Sequence, residues 1–175
     1  AIRLVSIERG HDPTRFAIMP FGGGGALHAG ALVHEVGLKS ALVPRFPGIT
    51  SALGCVIADL RHDEVQTVNR LIDETDSAAF DALIVRLGRK AREVVEQAGI
   101  AVDGIDVLYE LDMHYQGQTH TISVPLPLVW SETTTGVTIP LIREAFEAAY
   151  QTSFSRLLPG LPIRIVTLRA AAVGR

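Results

Sequence analysis

Four consecutive glycines, Gly22, Gly23, Gly24 and Gly25, stand between an apolar run at residues 16–21 and a stretch rich in Ala, Leu and Val at residues 26–36. Without a Cβ the backbone there can approach a ligand closely, and a helix beginning just after it adds partial positive charge. Both properties suit a nucleotide phosphate or the edge of an adenosine. The segment Phe21-Gly22-Gly23-Gly24-Gly25-Ala26-Leu27-His28 differs from two familiar phosphate motifs. Leu27 occupies the third glycine position of a dinucleotide fingerprint, and the Gly-Lys-Ser or Gly-Lys-Thr of a Walker A loop is absent. By itself the pattern leaves two readings open, a packing turn without a ligand and a nucleotide contact.

Other reactive side chains give weaker signals. His28 and His34 are six apart, about 240° around a helix, and so do not face each other. His62 beside Asp63, and His114 with Asp112 and Glu110 on one strand face, could contribute metal ligands only with help from other elements. A solvated strand face is the plainer account, and no metal site is assigned. Cys55 lies in the apolar context Ala52-Leu53-Gly54-Cys55-Val56-Ile57, which predicts a buried, unreactive thiol. No Gly-x-Ser-x-Gly elbow is present. Tyr109, Tyr115 and Trp130 read as core or interface aromatics.

The elements that must position these residues are legible as α/β structure in two parts. Residues 2–7 read as the tail of a helix stopped by Gly10 and Pro13. Residues 16–21 read as a strand buried on both faces, residues 26–36 as a helix, and residues 41–43 as a second strand. Strand, glycine loop, helix, strand is the order of a parallel βαβ unit. Beyond residue 56, residues 60–71 are β-compatible. Phe80, Leu83, Ile84, Leu87, Ala91, Val94 and Ala98 recur at helical spacing over residues 77–98, with Ser77 as the expected N-cap and Gly99 as the stop. Val107, Tyr109, Leu111, Met113 and Tyr115 alternate with polar residues on a strand. Gly117 turns the chain into a hairpin whose return strand carries Ile122, Val124 and Leu126. Ile139, Ile142, Phe146 and Ala149 mark a further helix, and residues 163–173 a last strand. The order β-α-β-β-α-β predicts a split-βαβ, ferredoxin-like module.

Composition narrows the function classes. At 175 residues and 47% hydrophobic, the chain can bury a sizeable core. A formal net charge of −3 supplies no basic field for a nucleic acid, and one cysteine rules out an internal disulfide. No apolar run reaches the roughly 18 residues that span a bilayer, because Pro125 and Pro127 interrupt the most apolar stretch. These features predict a cytoplasmic protein with no nucleic-acid or membrane partner.

Five segments, spread from end to end in the chain, resemble the hydantoinase A / 5-oxoprolinase family, which also includes acetone and acetophenone carboxylase subunits. Ser6-Ile7-Glu8-Arg9-Gly10-His11-Asp12-Pro13 resembles the family's S-V-E-R-G-x-D-P, and residues 21–28 resemble its F-G-G-A-G-P-L-H. Residues 44–63, PRFPGITSALGCVIADLRHD, are similar to P-x-x-P-G-x-x-S-A-L-G-x-x-x-A-D-x-R-H-D. Residues 112–118 resemble D-M-R-Y-x-G-Q, and residues 163–169 resemble the end of P-V-E-I-V-N-L-R. Ala26 stands where the family has Pro, and His114 where it has Arg.

The resemblance implies an actin-like, sugar-kinase-like ATP-binding fold, with residues 1–56 completing the nucleotide-binding domain and residues 57–175 forming a C-terminal module. It implies ATP with Mg2+ as cofactor. It also implies opening of a cyclic amide or imide, or carboxylation of a ketone, by phosphorylation of a substrate oxygen. Gly22, Gly23, Gly24 and Gly25 are then the expected nucleotide contacts, with Asp112, Tyr115, Gly117 and Gln118 as a substrate-side or subunit-contact patch. The family's Asp-x-Gly-Gly-Thr phosphate segment has no counterpart here, so the chain is expected to be a C-terminal fragment, inactive alone. Its expected partners are the rest of the parent chain and a hydantoinase B-type subunit. An alternative of another class is a non-catalytic subunit-interaction module.

Overall fold

A computed structural model describes residues 2–8 and 10–175, which fall into two compact units, Ala1–Ala58 and Asp59–Arg175. Arg9 of the Ser6–Pro13 segment lies outside the described residues. Among those described, no helix is long and apolar enough to cross a membrane.

In the first unit, α1 (Ile2–Glu8) is closed by Gly10, whose φ of 75° is the left-handed conformation glycine adopts without strain. The Gly10 N–H donates to Ile7 O at 2.9 Å and the His11 N–H to Ser6 O at 2.8 Å, the paired bonds of a Schellman cap. Two short strands, β1 (Ala17–Ile18) and β2 (Ser40–Ala41), pair in parallel. Between them run a 3-10 turn, Gly25–His28, and α2 (Ala29–Val36). The expected βαβ unit is therefore present.

Two expectations for this unit fail. Residues 16–21 do not form a strand buried on both faces: only two of them are extended in the ladder, and Phe16, Met19 and Phe21 are each about half exposed. Cys55 is exposed on α3 (Thr50–Ile57), beside the exposed Leu53, Val56 and Ile57. The cause is the same in both places. Among the described residues β1 has one strand neighbour, and these apolar side chains stay exposed within the unit. The division into units falls after Ala58, just beyond the end of α3.

The second unit has a complete core. Four strands, β3 (Leu60–Leu71), β4 (Ile105–Tyr115), β5 (Ile122–Leu126) and β6 (Ile163–Gly174), form an antiparallel sheet in the order β3-β6-β4-β5. Two helices, α4 (Ser77–Gln97) and α5 (Ile139–Phe154), cover one face. β3 and β4 run parallel with β6 between them, so α4 completes a split βαβ. The strand filling that gap is the last one, however, not the hairpin's returning strand β5. The ferredoxin-like strand order is therefore not observed, although the β-α-β-β-α-β sequence of elements is.

Alternation of side chains along the strands explains the core. Tyr109, Leu111, Met113 and Tyr115 of β4, with Ile163, Ile165 and Leu168 of β6, are buried against Ile84, Leu87, Ile142 and Phe146 of the helices. Gly117, with φ of 95°, makes the hairpin turn. Asp76, not Ser77, caps α4: its carboxylate accepts from the Ala79 N–H at 2.7 Å, which leaves Ser77 as the first helical residue.

Candidate functional site

The glycine loop follows the carboxyl end of β1. In parallel α/β structure, ligands are bound outside the carboxyl ends of the strands, because the loops there converge. Such convergence is visible here. The Gly22 N–H donates to Pro47 O at 2.8 Å, which ties the loop after β1 to the 3-10 turn Pro47–Ile49 that follows β2. Leu42 N–H donates to Ile18 O at 2.8 Å and fixes the same end of the strand pair.

Of the four glycines, Gly22 alone has a conformational reason to be glycine. Gly22 has φ of 84°, which a side chain would strain. A Cβ on Gly25 would meet the Pro20 backbone at 3.6 Å, ordinary contact at the start of the 3-10 turn. Gly23 and Gly24 have neither constraint. Neither has positive φ, and a Cβ on either would meet nothing within 4 Å. Among the described residues, their N–H groups donate to no backbone or side-chain acceptor, and both glycines are exposed. Leu27 beside them is 81% exposed. The result is a short, open stretch of backbone with two free donors at the carboxyl end of a parallel strand pair.

The second expected patch is divided by the sheet. Tyr115 is 3% exposed, packed edge-on against Phe146 and Tyr150 with ring centroids 5.0 and 4.8 Å away. Gln118, just beyond the Gly117 turn, braces that cluster. Its Nε2 donates to Tyr150 Oη at 2.7 Å, and its Oε1 accepts from the Tyr115 N–H at 3.3 Å. Asp112 differs in parity from Tyr115 and lies on the opposite face with Glu110 and His114, all three half-buried. Tyr115, Gly117 and Gln118 thus come together as one structural bracket, and Asp112 does not join them.

Among the described residues, no group of three or more His, Cys, Asp or Glu side chains converges as a metal cage would. His62 Nε2 lies 3.0 Å from Glu64 Oε1, and Lys90 Nζ donates to the other Glu64 oxygen at 2.8 Å. Those two hydrogen bonds, Lys90 first, hold the Glu64 carboxyl below the usual range.

Sequence reasoning missed the part played by Pro47, whose carbonyl anchors the loop. The only signal for it was the proximity of two prolines to the end of the second strand.

Comparison with known proteins completes the description. Residues 1–64 match the Hydantoinase/oxoprolinase family. The chain is 29% identical over 99% of its length to the caprolactamase subunit alpha of Pseudomonas jessenii, of which it covers 25%. It is 32% identical over 70% of its length to 5-oxoprolinase 1 of Arabidopsis thaliana, covering 10% of that protein. It is 27% identical over 93% of its length to the acetophenone carboxylase gamma subunit of Aromatoleum aromaticum, covering 22%. The crystal structure of the ATP-dependent caprolactamase from P. jessenii superposes with a TM-score of 0.72 at 29% identity, over 99% of this chain and 25% of that one. The chain therefore spans about a quarter or less of the relatives it matches. With its glycine loop and βαβ unit inside the matched residues, the chain is a member of the hydantoinase/oxoprolinase family.

Proposed function

We propose that this chain contributes part of the nucleotide site of an ATP-dependent cyclic amide hydrolase, within an actin-like ATP-binding domain. The observation that carries the reading is the pair Gly23 and Gly24. Neither φ nor packing requires glycine at these positions, yet both leave free N–H donors at the carboxyl ends of parallel strands. A ligand approaching the backbone accounts for both facts. Exposed donors with no side chain in the way fit a polar edge or phosphate of ATP. The relatives named as caprolactamase and 5-oxoprolinase favour an amide substrate.

When bound with Mg2+, ATP supplies a phosphoryl group that converts an amide oxygen into a leaving group. This chain's own residues bind and orient. Gly22 and Pro47 hold the loop, while Gly23 and Gly24 present donors. The relatives named as subunits support a partner subunit, which we take to be of hydantoinase B type, and the exposed Gly117 and half-buried Asp112 are the residues of the second patch most open to it. The chain alone is proposed to be inactive, because it supplies only one side of the nucleotide.

The test is ADP formation by the full-length parent with its partner subunit. Caprolactam, 5-oxoproline or hydantoin is expected to stimulate it. A second reading, a ketone carboxylase, is favoured by the carboxylase relative and predicts bicarbonate-dependent turnover with acetone or acetophenone instead. A non-catalytic interaction module predicts neither.

A further inference from the structure

A groove of about 410 Å³ lies in the second unit between the end of β3 and the first turns of α4. Its floor is apolar, formed by Val68, Phe80 and Leu83. Its rim carries two arginines, Arg70 and Arg86. Among the described residues neither has a carboxylate within 4 Å, and Arg86 donates only to the neutral Gln66 Oε1, at 3.1 Å. Asp76, the carboxylate that also lines the groove, is engaged in capping α4 through the Ala79 N–H.

The position of Arg70 is built in. The β3–β6 register slips between Thr67 and Arg70, and inside that bulge Asn69 adopts φ of 47°, a left-handed conformation that Asn tolerates better than most residues. Arg164 on β6 holds the bulge from behind, its Nη1 donating to Asn69 O and Oδ1 at 3.3 and 3.2 Å. A bulge of this kind re-aims the side chains that follow it, and Arg70 is the residue at which pairing with β6 resumes.

β3 is also an edge strand, with β6 on one side and no strand on the other. The opposite edge, β5, carries Pro125, with Pro127 two residues later, and these remove N–H donors at positions of the same parity. β3 contains no proline and so keeps an N–H at every position. An apolar floor, two unpaired guanidinium groups and a free strand edge fit one kind of occupant.

We propose that this groove binds an extended acidic polypeptide segment, with apolar side chains on the floor and carboxylates on Arg70 and Arg86. Alternating side chains along an extended chain present one face to the floor while the backbone lies along β3. Carboxylate–guanidinium pairing gives the charge selectivity. The inference rests on the second unit's geometry and is independent of the nucleotide reading.

The test is fluorescence polarisation of the 175-residue chain against two labelled peptides, one alternating Val and Glu and one alternating Val and Lys. The Val-Glu peptide is expected to saturate, with affinity falling at least tenfold in 0.5 M NaCl and in the R70Q/R86Q variant. The charge-reversed R70E/R86E variant is expected to prefer the Val-Lys peptide when folded and to lose that preference when unfolded in urea, which separates a folded site from non-specific attraction. Equal binding of both peptides by the unsubstituted chain, undiminished binding by R70Q/R86Q, or absence of Val-Glu binding would overturn the proposal. So would displacement of the peptide by hexanoate at equal concentration, which would assign the groove to small carboxylates.

Discussion

Gly88 of α4 faces Tyr109 of β4 so closely that a Cβ on residue 88 would lie 2.1 Å from the phenol oxygen and 2.9 Å from Cζ. The glycine sets how near the long helix can approach the sheet. Gly88→Ala is expected to destabilise the chain: overpacking costs about 1–3 kcal/mol, while the gain in helix propensity returns roughly 1 kcal/mol. Among the described residues the buried Tyr109 Oη has no hydrogen-bond partner, so Tyr109→Phe alone is expected to be neutral or stabilising. In the Gly88→Ala background the same change is expected to restore part of the loss. Urea denaturation of the two single variants and the double variant measures this coupling.

The same phenol makes stability fall in strong alkali. Burial first, then the nearby Asp81 charge, pushes Tyr109 up to about 12 from an ordinary 10.0. The folded chain then holds a proton that the unfolded chain releases. The contribution is complete below pH 10 and is lost as pH rises towards 12. Comparing unfolding midpoints of the unsubstituted chain and Tyr109→Phe across this range checks the sign, and the variant is expected to show the shallower decline.

Asp81 produces the opposite dependence in acid. Burial tends to raise its carboxyl, but hydrogen bonds from Thr134 and Thr135 outweigh burial and hold it below 3.8. The Thr135 N–H donates to Asp81 Oδ1 at 2.9 Å, pinning the connection between β5 and α5 against α4. This stability is present above the unfolded carboxyl's pKa and is lost as pH falls through the folded one. Asp81→Ala is expected to cost about 1–3 kcal/mol at neutral pH and to flatten the acid limb, as read by thermal unfolding between pH 2 and 7.

For the glycine loop, structure and ligand contact can be separated. Gly22→Ala is expected to cost about 1 kcal/mol through strain at positive φ. Gly23→Ala and Gly24→Ala are expected to leave the fold unchanged, since their Cβ atoms enter open space. In the full-length parent with its partner, these two changes are expected to raise the KM for ATP several-fold. An unchanged KM would remove the loop from the nucleotide site.

Gln118 separates bracing from binding in the second patch. Gln118→Ala leaves Tyr150 Oη and the Tyr115 N–H without their partner and is expected to lower stability by about 1–3 kcal/mol. As a brace, it is expected to leave the substrate KM of the parent enzyme unaltered. A raised KM at unchanged stability would make it a binding residue.

Periodicity carried most of the second unit. The buried face of β4, from Val107 to Tyr115, and the span of α4 are written in spacing that one sheet and one helix layer satisfy within the unit. The strand order was not legible, because alternation identifies a buried face but not the neighbour across the ladder; β6, not β5, fills the gap between β3 and β4. In the first unit the same logic misled. Phe16, Met19, Phe21 and Cys55 are apolar in sequence and exposed in the unit, because burial requires a layer that these residues do not themselves supply. Glycine spacing located the loop, but the Gly22–Pro47 hydrogen bond that shapes it joins residues too far apart to be read from a motif.

The central claim is that ATP activates an amide oxygen, and isotope tracing addresses it most directly. Full-length parent and partner subunit are given ATP and caprolactam, 5-oxoproline or hydantoin labelled with 18O in the scissile carbonyl. Transfer of the γ-phosphoryl group to that oxygen, attack of water at the carbon with cleavage of the C–N bond and protonation of the ring nitrogen, and attack of a second water at the acyl carbon that expels phosphate carry the label into inorganic phosphate. Label in phosphate, in proportion to ring opening, is the predicted result. Ring opening that leaves all the label in the carboxylate, or no ring opening with any of the three, would contradict the account.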